Sequence, residues 1–196
     1  LSTLYNNSND PEKALYYAEC AGKSDGCVEN RVNIVLALYK LGRSEEYAEA
    51  LEELLETDTD DIAGLVHIIR AMAIVGNAEA VVKFGAKLSR ISPQKAPMLC
   101  YAVALANSGE LREARKIMVT LQALFPYDAV VRVFSVIIGN LTEKSELSLL
   151  CELPENAENE ILYSLNNVLT ECGNDKNKLK NRLREPEFYT GILMVF

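Results

Sequence analysis

Residues 34–61, IVLALYKLGRSEEYAEALEELLETDTDD, contain a complete pattern of two helices separated by a glycine. Apolar residues recur at helical spacing up to Leu41, and Gly42 follows them as a helix C-cap, since glycine tolerates positive φ. Ser44 is predicted to cap a second helix, whose apolar stripe includes Leu51 and Leu54. The stretch therefore predicts a helix pair, and the acidic residues after it predict a turn.

The same unit recurs along the chain. Gly42, Gly76 and Gly109 are separated by 34 and 33 residues, and Asn9 occupies the place of the glycine 33 residues before Gly42. A fixed period of this length is typical of a solenoid, in which each unit buries its apolar face against its neighbours. The predicted helices are residues 11–21, 62–75, 78–91, 96–108, 111–125 and 127–139, and the first helix of the opening unit is missing or incomplete.

Two further positions in each unit point to a family. Gly109 is followed by a small residue, Ala114, five positions later and by Pro126 seventeen positions later. In the unit of Gly76 the proline is present, as Pro93, but Val81 replaces the small residue. The unit of Gly42 has neither, since Tyr47 and Thr59 stand at the two places. Over about residues 10–140 the chain thus resembles the tetratricopeptide repeat family.

The resemblance implies an all-α fold, a right-handed α–α superhelix of about three and a half repeats over residues 1–140. A related helix-pair solenoid such as HEAT is the alternative, although its repeats usually run longer. After Pro126 the regularity decays, and residues 144–150, 159–171 and 176–184 are predicted to be helices. Because terminal repeats of solenoids are atypical and cover the stack, residues 141–196 are predicted to form a C-terminal helical cap.

Charge and hydropathy exclude several classes of partner. The 196 residues carry a formal net charge of −8, which argues against nucleic acid and against an anionic membrane surface as main partners. No apolar run approaches the roughly 18 residues that span a bilayer. The one basic cluster, at residues 176–184, lacks interleaved aromatic residues and is a weak nucleic-acid signal. The chain begins with Leu1, which leaves open that it is a fragment or that a signal has been removed.

Nothing in the sequence predicts catalysis, a cofactor or a metal site. The five cysteines are odd in number and lack CxxC spacing, so they are predicted to be small core residues in a reducing compartment, the cytoplasm. His67 is the only histidine, and no nucleophile with a histidine–acid pair is identifiable. Residues 45–61 hold nine carboxylates without the spacing of a calcium loop, which predicts a solvated helix face.

The resemblance also implies where a partner binds. Tetratricopeptide stacks bind ligands on the concave face that the first helix of each pair, helix A, lines. The second, fifth, ninth, twelfth and thirteenth positions of each repeat supply the candidate groove residues, which are Val32, Leu36, Tyr39, Val66, Arg70, Leu99, Val103, Asn107, Val133 and Ile137. Val32 and Leu36 stand where the subclass that clamps chaperone tails has lysine and asparagine, so this subclass is excluded.

A groove of this composition is largely apolar and favours an amphipathic helix or peptide as ligand. The alternative is that the C-terminal helices of the same chain fill it. The leading interpretation is a non-catalytic protein-interaction scaffold. A regulatory or accessory domain of a larger protein is the second hypothesis. An enzyme on a helical scaffold is the third, and its polar groups would be Glu29, Tyr39, Lys40, Arg70 and Asn107.

Overall fold

The computed structural model describes residues 2–22, 27–142, 170–172 and 175–183, and every regular element in these ranges is an α-helix. The all-α prediction is therefore confirmed, while the superhelical path of the helices remains a prediction. The helices are α1 (Ser2–Asn7), α2 (Pro11–Gly22), α3 (Val28–Leu41), α4 (Ser44–Leu55), α5 (Ile62–Val75), α6 (Ala78–Ile91), α7 (Lys95–Ser108), α8 (Leu111–Leu124), α9 (Ala129–Thr142) and α10 (Lys176–Leu183). None of these described helices combines the length and apolarity needed to cross a bilayer.

The period seen in the sequence is present in the backbone. Gly42, Gly76 and Gly109 have φ angles of 69°, 82° and 92°, and Asn9 is the one other described residue with positive φ, at 61°. At all four places the amide of the following residue donates to the carbonyl five residues earlier, as in the Schellman motif. These bonds are Asp10 N to Tyr5 O at 3.0 Å, Arg43 N to Leu38 O at 3.2 Å, Asn77 N to Met72 O at 2.8 Å and Glu110 N to Leu105 O at 2.9 Å.

Replacement of one of these glycines tests the cost of the left-handed cap. Gly76→Ala is expected to lower the free energy of unfolding by about 1 kcal/mol. A Cβ in this conformation costs roughly 1–2 kcal/mol, and the reduced freedom of the unfolded chain offsets part of it. Within the described structure, an added Cβ would meet no atom within 4 Å beyond its chain neighbours, so crowding plays no part.

Gly22→Ala is the matched control, because Gly22 also offers open space but lies at the end of α2 without positive φ. Its expected effect on the free energy of unfolding is neutral or stabilising. Urea-induced unfolding followed by circular dichroism measures both variants. Equal losses at the two positions would contradict a conformational origin of the cost.

The chain divides into two compact units, Leu1–Ile91 and Ser92–Phe196. In the first unit, α1 pairs with α2, α3 with α4 and α5 with α6, and α3 also packs against α1, α2 and α5. One core cluster joins α2 and α3 through Ala14, Leu15, Ala37 and Leu38. Near the other end of the unit, the Lys87 ammonium lies 3.0 Å from an oxygen of Asp60, which ties α6 to the turn before α5.

In the second unit, α7 pairs with α8, and α9 packs against both, while α10 contacts α7 and α9. Eleven consecutive residues of α7, Pro97 to Asn107, are buried, so this helix is covered on all sides. The Lys95 ammonium lies 2.6 Å from Asp128 Oδ2, which links the start of α7 to the start of α9. Burial alone would raise the pKa of the Asp128 carboxyl, but hydrogen bonds from Lys95 and the Val131 amide outweigh it and hold that pKa below its usual value.

The predicted N-termini of α9 and α4 differ from the structure, and both differences concern the N-cap residue. α9 begins at Ala129 rather than Tyr127, because the Asp128 carboxylate accepts a hydrogen bond from the Val131 amide at 3.0 Å. The predicted cap at Ser44 is wrong: Ser44 is the first residue of α4, Arg43 holds the cap position, and no side-chain hydrogen bond caps the helix. α5 and α6 have the predicted bounds.

The cysteines are not all core residues. Cys100 and Cys172 are buried as predicted, but Cys20 is exposed and Cys27 is half-buried, and none of these four forms a disulfide. Cys20 lies on α2 beyond the residues that this helix buries, Ala14, Leu15 and Ala18. The prediction of a core position is therefore wrong for Cys20. Cys151, the predicted helix at residues 144–150 and residues 159–169 of the predicted helix 159–171 lie outside the described residues, while residues 170 and 171 are helical.

Candidate functional site

The helix-A positions of the first unit form one layer. α1, α3 and α5 lie side by side, since α3 contacts both of the others. We call the surface that they present the first-unit face, which carries the candidate residues Val32, Leu36, Tyr39, Val66 and Arg70. Val32 and Val66 are 4% and 5% exposed, whereas Leu36 and Arg70 are half-buried and Tyr39 is 45% exposed. The two valines are therefore almost closed to solvent, and the other three candidates keep exposed surface.

A buried polar network fixes α1 on α3 at one edge of the first-unit face. The Asn6 amide donates to the backbone carbonyl and the side-chain oxygen of Asn33, at 3.1 and 3.2 Å. Asn33 in turn donates to the hydroxyls of Ser2 and Thr3, both at 3.0 Å. Because each of these bonds joins α1 to α3, the network sets the position of the short first helix. This network was not predicted from the sequence, although an asparagine within an apolar helix is a signal for it.

Two cations lie close together on the same face. Lys40, on α3, donates to the Asn6 carbonyl at the end of α1. Burial lowers the pKa of the Lys40 ammonium, and the positive charge of Arg70 on α5 lowers it further. The positive charges of Lys40 and Arg70 therefore interact at the contact between α3 and α5.

His67 has a partner that the sequence did not reveal. Its Nε2 lies 2.8 Å from Glu29 Oε1, so the start of α3 is joined to the middle of α5. His67 was predicted to be a packing or edge residue, and Glu29 was one of the groove positions. Within the described ranges, no three His, Cys, Asp or Glu side chains converge in a way that would hold a metal ion.

The Tyr39 side chain contacts α4, which is the second helix of its own pair. Its ring lies 5.7 Å from that of Tyr47 on α4, at an interplanar angle of 49°. Beyond this pair, the glutamates of α4 are exposed, and a shallow depression of about 410 Å³ is lined by Arg31, Glu53, Glu56 and Thr57. Arg31 donates to the Thr57 hydroxyl at 3.2 Å there. The helix-B side of the pair is therefore acidic, in contrast to the pair of cations on the helix-A side.

The corresponding positions of the second unit are buried from solvent. We call the surface of α7 and α9 at these positions the second-unit face. Its candidate residues are all at most 2% exposed: Leu99, Val103, Asn107, Val133 and Ile137. Side chains buried to this degree do not contact a partner in this conformation. Among the described helices, α8 and α10 each contact both α7 and α9.

Comparisons of the chain with protein-family models, with curated proteins and with solved structures find no significant match. The resemblance to the tetratricopeptide family therefore stays a prediction, which depends on the period and on the recurrent left-handed caps.

Proposed function

We propose that this protein is a non-catalytic interaction scaffold of the tetratricopeptide type, and that it binds a peptide or an amphipathic helix on the first-unit face. One observation carries the proposal: at the positions where the resemblance expects ligand contacts, Leu36, Tyr39 and Arg70 lie on neighbouring helices and remain accessible. A surface built from side-by-side helices is suited to a ligand helix that lies across it with its apolar side inward.

The composition of the face narrows the chemistry of the ligand. Leu36 and the ring of Tyr39 offer apolar contact, and tyrosine also supplies a polar tip, as at many protein interfaces. Lys40 and Arg70 are both positively charged and interact electrostatically, so a ligand carboxylate would be attracted to them. We therefore expect a partner peptide that combines apolar residues at helical spacing with at least one acidic residue.

Selection of peptides from a displayed random library against the purified protein tests the proposal. Peptides that bind are then titrated against Tyr39→Ala and Arg70→Gln variants. Each substitution is expected to raise Kd about tenfold or more, which corresponds to a loss of about 1.4 kcal/mol. Arg70→Gln should act mainly on peptides that carry an acidic residue.

Tyr16→Ala is the matched control. Tyr16 is an exposed tyrosine on α2 that also contacts another tyrosine ring, with centroids 5.3 Å apart, but it lies on a helix B. Its replacement should leave Kd unchanged. Selected peptides whose affinity falls with Tyr16→Ala and not with Tyr39→Ala would overturn the placement of the site, and a library that yields no binder would argue against the scaffold function.

A further inference from the structure

The helix α4 is packed less completely than the other helices that stand second in their pairs. Only Leu54 of α4 is buried, whereas α2 and α8 each bury three residues and α6 buries five. α2 packs against the following α3, and α8 against the following α9, but α4 and α5 do not pack extensively on each other. Among the described helices, only α3 packs extensively against α4. One side of α4 therefore lacks, within the described residues, the helix that covers its counterparts.

The residue five places after the left-handed cap accounts for this difference. In the other three units this place belongs to Ala14, Val81 and Ala114, which are all 0% exposed. In α4 the place belongs to Tyr47, which is half-buried and packs against the core cluster of α2 and α3. A tyrosine ring needs more room there than an alanine or valine side chain, so α4 settles less deeply on its neighbours.

The uncovered side of α4 has an apolar line along it. Ala48, Leu51 and Leu55 have the spacing i, i+3 and i+7, so they follow one side of the helix, and we call them the α4 stripe. Ala48 is exposed and the two leucines are half-buried. Tyr47 and Ala50, by contrast, pack against the core cluster. The α4 stripe thus adjoins the core side of the helix and keeps apolar surface for a further helix.

A row of carboxylates borders the α4 stripe. We call it the acidic row, and it consists of four exposed glutamates at spacings of four, three and four residues, Glu45, Glu49, Glu52 and Glu56. Within the described ranges none of them forms an ion pair, whereas Asp60 in the next turn lies 3.0 Å from the Lys87 ammonium. Like charges at i and i+4 of a helix repel each other, so the acidic row favours a cationic partner.

We propose that the α4 stripe is an interaction surface for a separate basic amphipathic helix. The apolar residues of this partner pack on Leu51 and Leu55, and its lysines or arginines pair with the acidic row. Charge complementarity selects this occupant, because an acidic or neutral helix with the same apolar side leaves the carboxylates without counter-charges. The inference goes beyond the proposed function, since it concerns the helix-B side and a ligand of opposite charge.

Binding of a synthetic peptide to the full chain tests the inference. The peptide has about 14 residues, with leucine at i, i+3, i+4 and i+7 and lysine elsewhere, and is titrated at about 150 mM salt, where distant charges are screened. We expect it to bind, and we expect about tenfold weaker binding for a peptide of the same composition in scrambled order. Failure to bind at about 0.1 mM, or equal affinity for the scrambled peptide, would overturn the proposal.

Ala48→Lys places a cation in the middle of the α4 stripe without removing a buried side chain, since Ala48 is exposed. It is expected to raise the Kd of the lysine–leucine peptide about tenfold or more. Ala86→Lys is the matched control, because Ala86 is an exposed alanine on α6 and its replacement changes the net charge equally. Its expected change in Kd is less than about twofold. Equal effects of the two variants would mean that the peptide responds only to the net charge of −8, and the proposal would fail.

A second pair of variants keeps the test valid if Ala48→Lys alters the helical circular dichroism. Glu49→Gln combined with Glu52→Gln removes two charges of the acidic row and is expected to raise Kd about threefold or more. Glu12→Gln combined with Glu79→Gln removes two exposed carboxylates from α2 and α6 and should leave Kd nearly unchanged. A loss of affinity that is the same in both double variants would contradict pairing with the acidic row.

Two further measurements separate the α4 stripe from other sites and occupants. Tyr39→Ala should leave the Kd of the lysine–leucine peptide unchanged; a large increase would place the peptide on the first-unit face and refute the inference. Sedimentation equilibrium is expected to give a monomer, and a dimer that Ala48→Lys dissociates would make a second copy the occupant instead of a separate helix. If the α4 results hold but no library peptide depends on Tyr39, the α4 stripe stands and the proposal for the first-unit face fails.

Discussion

Phe134→Ala is expected to lower the free energy of unfolding by about 3–5 kcal/mol, the usual cost of removing a buried aromatic ring. Phe134 is 0% exposed and is one of the largest fully buried side chains among the described residues. It lies on α9, which packs against α7 and α8, so the vacated volume lies among several helices. Because a domain of this size is stable by only about 5–15 kcal/mol, this single change removes a large part of the total.

Urea-induced unfolding measured by circular dichroism tests the Phe134 prediction. Val119→Ala is the control in the same unit: Val119 is on α8, is 58% exposed, and should change the free energy of unfolding by less than about 0.5 kcal/mol. A loss below about 1 kcal/mol for Phe134→Ala would show that this interior is not as closely packed as the burial indicates.

Val103→Glu is expected to cost several kcal/mol at neutral pH, because it places an unpaired carboxylate in an apolar interior. Val103 is 1% exposed and lies in the middle of the run of buried residues in α7. Burial raises the pKa of the introduced carboxyl in the folded state. The penalty is therefore smallest below the unfolded pKa of about 4.3, and it grows by about 1.4 kcal/mol per pH unit above that value until the folded pKa is reached.

Unfolding of Val103→Glu at pH 5 and pH 7, each relative to the unmodified protein, measures this dependence. Val103→Gln is similar in volume and polar but does not ionise, so its penalty should be the same at both pH values. Tyr39→Glu introduces the same carboxyl at a 45% exposed position and is expected to leave the fold intact. A penalty for Val103→Glu that falls as pH rises would contradict burial of the carboxyl.

The contrast between Val103 and Tyr39 affects how ligand binding is tested. Charged replacements at Val66, Val103 and Val133 would be natural first choices from the groove register, yet these side chains are 5%, 1% and 1% exposed. Such variants would report on folding rather than on binding. Leu36, Tyr39 and Arg70 are the positions at which a loss of binding can be separated from a loss of structure.

The repeat was predictable because its signals are local. Each left-handed cap requires glycine or a tolerant residue such as asparagine, and the glycines at a fixed period determined the ends of α3, α5 and α7 in advance. One boundary failed because a neighbouring side chain decides it: α9 begins at Ala129, after the capping Asp128. Another failed without such a cap. α7 begins one residue earlier than predicted, at Lys95; the first turn of a helix tolerates Pro97, because amides there have no partner within the helix.

The functional surface was less predictable because exposure depends on what packs against it. The groove register assigned Leu36 and Val103 to equivalent places, yet the first is half-buried and the second has almost no exposed surface. The contact between Glu29 and His67 joins residues 38 positions apart, counted as 67 − 29, and depends on how α3 lies on α5. A repeat period predicts that two helices are neighbours, but not which of their side chains touch.

The complete burial of α7 has a consequence for the newly made chain. A helix that is buried around its whole circumference exposes apolar surface on every side until its partners have folded against it. Exposed apolar surface of this kind promotes aggregation. Among the described helices, α8, α9 and α10 pack against α7, and all three follow it in the sequence and leave the ribosome later. Residues 97–107 are therefore the segment of this protein for which we expect nascent-chain chaperones to have the greatest affinity.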